Sequence, residues 1–250
     1  MPRPPTWPAT APSSCSTTPE ATVAVGEIIR LKSAADGAEC DAWHEPAQEA
    51  RRGGLVVCHA IWGVTPHLKG LAAEYAARGY EVMVPSLFDR FQRRFPEKNT
   101  DPAVLAHQME LGRRTGWGAD VLDFVQAAID ALRPPVFLIG FCFGGTVAWL
   151  AAARCSGLAA VASYYGGNII DHVTETPRVP TILHLGKRDE TIPPAAVESI
   201  REQHPDLPVN MYDAGHGFVA PSGYDKDAAD LSTLRTLALF SRHGGGRGEV

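Results

Sequence analysis

Cysteine is scarce and unpaired in pattern: five residues in 250, at 15, 40, 58, 142 and 155, with no C-x-x-C spacing and an odd count. That argues against a disulfide framework or a zinc–thiolate site and for free thiols in a reducing, cytoplasmic compartment. The nine histidines are dispersed and show no metal-ligand spacing, so no metal and no cofactor is expected. No apolar run approaches the roughly 18 residues that suggest a membrane span. Excess positive charge is also missing: the net charge of -5 leaves no general polyanion-binding face, so nucleic acid is not an expected partner. Residues 1–20, rich in Pro, Ser and Thr, lack the apolar centre of a secretory signal and read as a disordered extension. There is no internal repeat and no sign of a second domain, so 21–243 reads as one domain and 244–250 as a flexible tail.

What is present is an alternation of short apolar runs with helical patterns. An early strand over 22–31 and a partner over 38–44 read as a hairpin. Leu55–Cys58, Tyr80–Val84, Val136–Ile139, Ala159–Tyr164, Thr181–Leu185 and Leu207–Tyr212 read as further strands. Helical spacing starts at Pro66 and stops at Gly79, and recurs over 102–111, 119–132, 146–153, 193–203 and 227–240. Strands alternating with helices imply an α/β fold: a mostly parallel central sheet of about seven or eight strands with helices on both faces. Residues 86–101 form a loop rich in basic and aromatic residues, placed to rim a cleft. Ligands of such sheets bind at the carboxyl ends of the strands.

At one strand end lies Gly140-Phe141-Cys142-Phe143-Gly144-Gly145. This has the form of the nucleophile elbow G-x-S-x-G with sulfur replacing the hydroxyl oxygen. A sharp strand-to-helix turn needs glycines because β-carbons have no room there. A thiol nucleophile needs a base and an acid that orients the base. Asp189 follows the Thr181 strand and His216 follows the Leu207 strand, so Cys142, Asp189 and His216 stand in the chain order of an α/β-hydrolase triad. In that reading His216 takes the thiol proton, Asp189 fixes its tautomer, and the helix N-terminus behind Cys142 favours the thiolate. Oxyanion donors are expected from the backbone N–H of Phe143 and from Ile61, in the loop after the Leu55 strand. Glu190 is a competing acid, and Asp171 with His172 a weaker rival pair. Asp213 reads as a turn residue, and Arg93, Arg94 and Lys98 as a solvated face.

These segments together resemble the dienelactone hydrolase family. The elbow is similar to its G-x-C-x-G-G motif. Gly186 to Pro193 resembles its acid loop, Ala214-Gly215-His216-Gly217-Phe218 its histidine loop, and Val56 to Val64 its oxyanion loop. Ser86 to Arg90 resembles the segment carrying a substrate-binding arginine, and Tyr164-Tyr165-Gly166 the strand end between elbow and acid loop. The resemblance spans about 25–240. It implies the α/β-hydrolase fold, hydrolysis of dienelactone or of another small lactone or ester without a metal, and a monomer. It also implies substrate contacts from Arg90, Trp62 and Tyr164.

Two departures stand out. Ala60 occupies the place of a family glutamate that helps deprotonate the cysteine, and Val219-Ala220-Pro221 occupies the place of that glutamate's arginine partner. The expectation is therefore that His216 alone generates the thiolate and that specificity has moved from dienelactone towards other activated esters or lactones. Arg90 would remain to pair with a substrate carboxylate. A broad carboxylesterase and a non-catalytic small-ligand-binding protein are the alternatives on the same scaffold.

Overall fold

The alternating runs assemble into one eight-stranded sheet in the computed structural model, which describes residues 26–93 and 101–246. In chain order the elements are β1 (Glu27–Lys32), β2 (Glu39–Glu45), β3 (Gly53–Cys58), α1 (Pro66–Ala76), β4 (Tyr80–Pro85), α2 (Pro102–Thr115), α3 (Ala119–Asp130), β5 (Val136–Phe141), α4 (Phe143–Arg154), β6 (Leu158–Tyr164), β7 (Thr181–Gly186), α5 (Pro194–Gln203), β8 (Val209–Tyr212) and α6 (Lys226–Phe240). The strand order is β1-β2-β4-β3-β5-β6-β7-β8. β1 and β2 pair antiparallel, as do β2 and β4; every later pairing is parallel.

This topology follows from burial. All six residues of β3 and all six of β5 are buried, as expected of central strands covered on both faces. From β3 the chain steps one way through α1 to β4, and from β5 the other way through α4 to β6. Right-handed crossovers therefore put α1 on one face and α4 on the other. α6 joins the α1 face, where Phe240 stacks on Phe137 at 4.4 Å and meets Tyr80, which α1 reaches through Tyr75. Each such ring, fully buried, contributes about 1.5–3 kcal/mol. The direction of connection reverses at β3 and β5, so the crevice beyond their carboxyl ends is where a ligand site belongs.

Helix starts match their capping residues. Thr65 Oγ1 accepts from Leu68 N at 3.3 Å, Asp101 from Ala103 N at 2.8 Å, and Asp225 from Ala228 N at 3.0 Å. Two expectations shift. α4 starts at Phe143 rather than Thr146, because the turn out of β5 takes a single residue. The tail expected to be flexible from residue 244 instead packs at its start: the chain kinks at His243 and Gly244, and Gly245 is buried beside Phe240 and Phe137. The proposed extension over 1–20, residues 22–25 of the first strand, residues 94–100 of the loop after β4, and 247–250 lie outside the described residues. Among the described residues, no helix is long and apolar enough to cross a membrane, and no three His, Cys, Asp or Glu side chains cluster as metal ligands.

The closest backbone approach in the fold lies where α4 meets the sheet. A β-carbon on Gly140 would collide with the carbonyl of Gly144, and one on Gly144 would collide with the carbonyl of Cys58. Backbone is the obstacle in both cases, so no side chain can move aside. Gly140→Ala should therefore cost about 3 kcal/mol or more. Thermal unfolding should show it as a fall of about 2–4 °C per kcal/mol. A Tm within 2 °C of the parent, by about the same scale, would contradict this reading of the turn.

Candidate active site

Cys142 is the single residue between β5 and α4, at φ 55° and ψ −114°. A positive φ on a residue with a side chain costs on the order of 1–3 kcal/mol and persists only where the surroundings enforce it. Here both peptide groups are held. Cys142 N–H donates to Tyr164 O at 3.0 Å, and Cys142 O accepts from Gly145 N at 2.9 Å and Thr146 N at 3.2 Å. The strain leaves the thiol half-buried and free at the N-terminus of α4, where the helix dipole favours negative charge.

β7 and β8 deliver the acid and the imidazole. Their exit loops are tied together by Lys187 N to Tyr212 O at 2.8 Å and Arg188 N to Ala214 O at 3.0 Å. His216 Nδ1–H donates to Asp189 Oδ2 at 2.7 Å. That leaves Nε2 open to another partner, and Cys142 is among the groups that favour the charged imidazole. The Asp189 carboxylate is fully buried while the imidazole keeps 31% of its side-chain surface. Burial disfavours the charge on His216, but the hydrogen bonds to Asp189 and Cys142 outweigh it and raise its pKa to about 10. For Asp189, burial pushes upward and the bonds from His216 and Thr191 prevail, so the carboxyl titrates below its usual range. The structure thus joins Asp189 to His216, two of the three side chains expected from the strand ends, and Cys142 acts on the charge of His216.

Thr191 is a contact the sequence reading missed. Its hydroxyl donates to Asp189 Oδ1 at 2.6 Å, its N–H donates to the same oxygen at 2.9 Å, and its Oγ1 lies 3.1 Å from His216 Nδ1. The Asp-x-Thr spacing of an Asx turn is the signal that pointed to it. Tyr165 is a second, at φ 40°, with its N–H donating to His184 O at 2.8 Å. Its ring meets His216 edge-on at 5.0 Å and Phe218 at 5.2 Å. Burial, and then the nearness of Cys142, hold its phenol well above the usual range, so it stays neutral.

The expected oxyanion donors are placed as follows. Phe143 is the first residue of α4, so its N–H has no partner within the helix. Its ring is locked by Trp117 stacked at 4.8 Å and by Phe88 at 5.2 Å. Ile61 and Trp62 are the two central, partly buried residues of a turn closed by Gly63 N–H to Ala60 O at 3.1 Å.

Two expected substrate contacts are corrected. Tyr164 is 1% exposed and hydrogen-bonds Thr236 at 2.7 Å inside the core. Its neighbour Tyr165, just past the end of β6 at φ 40°, is the one whose ring meets His216. Arg90 is held by Asp36 at 2.6 Å, Asp123 at 3.2 Å and Asp120 at 3.4 Å, with its guanidinium 4.9 Å from the Phe124 ring centre. Three carboxylates and a ring face occupy the group that was expected to clamp a substrate. The rival acids stay apart: Glu190 is exposed and Asp171 accepts from Asn168; Asp213, read as a turn residue, pairs with Arg188 on the surface.

A sequence-family model described as the dienelactone hydrolase family matches residues 41–244. Carboxymethylenebutenolidase of Pseudomonas putida is 29% identical over 200 residues, 75% of this chain and 84% of that protein. Carboxymethylenebutenolidase 1 of Cupriavidus pinatubonensis is 26% identical over 201 residues, 75% and 85% respectively. Among solved structures, a dienelactone hydrolase-like promiscuous phosphotriesterase from metagenomic libraries superposes with a TM-score of 0.67 at 22% identity, covering 87% of this chain and 98% of that one. An esterase of Pyrococcus furiosus does so with a TM-score of 0.63 at 14% identity, covering 88% and 93%.

The Arg90 cluster ties the β1–β2 turn, the loop after β4 and α3 together, so it is a stability element. Arg90→Ala should lower stability by about 1–2 kcal/mol, since it leaves three carboxylates unpaired. It should leave the ratio of kcat/KM for a carboxylate-bearing and a neutral p-nitrophenyl ester unchanged. A selective loss for the acidic ester would restore the clamp.

Proposed function

The chain belongs to the dienelactone hydrolase family, and from that premise we propose that it hydrolyses small lactones or esters through an acyl-thioester on Cys142. One observation supports the reading: His216 is bonded through Nδ1 to the buried Asp189 carboxylate at 2.7 Å, and Asp189 and Cys142 together favour its charged form. With its pKa raised to about 10, His216 holds a proton at neutral pH before substrate arrives.

The steps follow from that pair. Sulfur adds to the carbonyl carbon, and the oxygen takes the electron pair as an oxyanion facing the N–H groups of Phe143 and Ile61. Collapse re-forms the carbonyl and breaks the carbon–oxygen ester bond, and the leaving alkoxide takes the proton from His216 Nε2. In a lactone the alcohol stays tethered to the acyl group. Water then gives a proton to His216 and its oxygen to the thioester carbon. A second collapse releases the carboxylic acid and returns the sulfur anion. Asp189 keeps its charge throughout and stabilises the imidazolium.

With Ala60 and Val219 at two positions of this site, no carboxylate gate is needed: the imidazolium is already favoured by Asp189 and the sulfur. The commitment of Arg90 to Asp36, Asp120 and Asp123 favours the carboxylesterase reading, with neutral esters or lactones preferred over carboxylate-bearing ones. The Asp189–His216 pair and the family membership thus support a hydrolase of small molecules.

The purified chain should turn over p-nitrophenyl acetate, and iodoacetamide should stop it. Cys142→Ala should lower kcat/KM by about a thousandfold or more. Turnover that survives alkylation would overturn the nucleophile, and no turnover by the folded chain would favour a binding role. Histidine NMR gives a second check. The His216 pKa, raised to about 10 in the parent, should fall in Cys142→Ala and again in Asp189→Asn, because each removes one of the bonds that raise it. An unmoved titration would contradict the pair.

A further inference from the structure

His59 is fully buried at the carboxyl end of β3, one residue before the turn that carries Ile61. Both ring nitrogens are used. Nδ1–H donates to Ala60 O at 2.6 Å, and Nε2 accepts from Leu87 N–H at 2.9 Å. These roles fix one tautomer. The ring stands edge-on to Phe88 at 4.9 Å, and Phe88 in turn packs on Phe143 at 5.2 Å. Burial holds the imidazole neutral, with its pKa lowered to about 4.

The consequence is geometric. Ala60 O is gripped twice, by His59 Nδ1–H and by Gly63 N–H at 3.1 Å. In a trans peptide the C=O and the following N–H point in opposite directions. Fixing the Ala60 carbonyl therefore turns the Ile61 N–H away from His59. Among the described residues that N–H has no acceptor. The same stretch is pressed against the start of α4, since a β-carbon on Gly144 would sit 2.7 Å from His59 O. The loop that carries the Ile61 N–H and the helix turn that carries the Phe143 N–H thus meet at His59.

We infer that His59 is a positioning residue that sets the Ile61 N–H as the second oxyanion donor, an assignment that rests on the acyl-thioester reading above. It touches neither sulfur nor substrate. It acts through the Ala60–Ile61 peptide, and it anchors that peptide to the loop after β4 through Leu87. A side chain with one donor and one acceptor at matching positions can replace it; one without them cannot.

The test uses the full chain and separates thiolate chemistry from oxyanion chemistry. Iodoacetamide alkylation of Cys142 needs the thiolate and no oxyanion hole, whereas p-nitrophenyl acetate hydrolysis and trifluoromethyl ketone binding need both. In His59→Ala, kcat/KM should fall about a hundredfold, the loss typical of one oxyanion donor. Ketone affinity should fall in parallel, while the alkylation rate stays within about twofold of the parent on that account. His59→Gln, whose amide supplies both a donor and an acceptor, should recover most of the loss. Where the Ala variant does not fold, His59→Phe keeps ring volume against Phe88 without either hydrogen bond and carries the same expectation. Unchanged hydrolysis in a folded variant, or alkylation that falls as far as hydrolysis, would overturn the role of His59. Alkylation-resistant turnover in the parent would instead overturn the Cys142 reading, whatever His59 does.

Discussion

The contact between two pieces of bare backbone, the start of α4 and the ends of β3 and β5, sets the rest of the structure. Gly140 and Gly144 let carbonyls approach to a distance that no side chain permits. With that approach, one residue suffices to turn the chain from strand into helix, and Cys142 takes the strained φ of 55°. The same approach fixes the height of the first helical N–H groups against the loop after β3. Cys142 and the first N–H groups of α4 are therefore positioned by one packing event, and the cost of the strained residue is met by hydrogen bonds to Tyr164, Gly145 and Thr146.

Around this rigid centre the polar groups are arranged in two chains of opposite character. Thr191, Asp189 and His216 form a charged chain, in which a fully buried carboxylate is satisfied by three donors and lends its charge to an imidazole at the surface of the cleft. Leu87, His59 and Ala60 form a neutral chain, in which a buried imidazole carries no charge and serves as a rigid spacer. Two histidines of equal intrinsic basicity thus take opposite states: the one facing a carboxylate and a sulfur is raised to about 10, and the one facing only backbone is lowered to about 4.

Much of this was legible in the sequence, and the reasons differ by element. The central strands declared themselves as short apolar runs because both faces are buried, and the elbow declared itself because only glycines fit around it. The chain order of Cys142, Asp189 and His216 needed only the strand ends. What the sequence could not convey was the direction of a side chain at a strand end. Tyr164 and Tyr165 are adjacent and chemically identical, and which one faces the site depends on where the sheet register places the end of β6. Arg90 illustrates the same limit. Its partners Asp36, Asp120 and Asp123 come from two distant segments, so nothing near it in sequence showed that its charge was already matched.

The charges of the site also bear on stability, and their signs can be worked out. His216 has a folded pKa raised from 6.5 to about 10, so its contribution is fully present below 6.5 and is lost as pH rises towards 10. Asp189 has a folded pKa lowered from 3.8, so its contribution is present above 3.8 and is lost as pH falls through the lower folded value. The two overlap between about 4 and 6.5, the window in which both partners are charged in the folded and the unfolded chain. Above that window the folded site holds a proton on His216 that the unfolded chain releases. The imidazolium is thus retained by the fold at neutral pH, with Asp189 and Cys142 as the groups that favour it. A buried carboxylate bonded to the imidazole favours its charged form without any group at position 60, where an alanine stands.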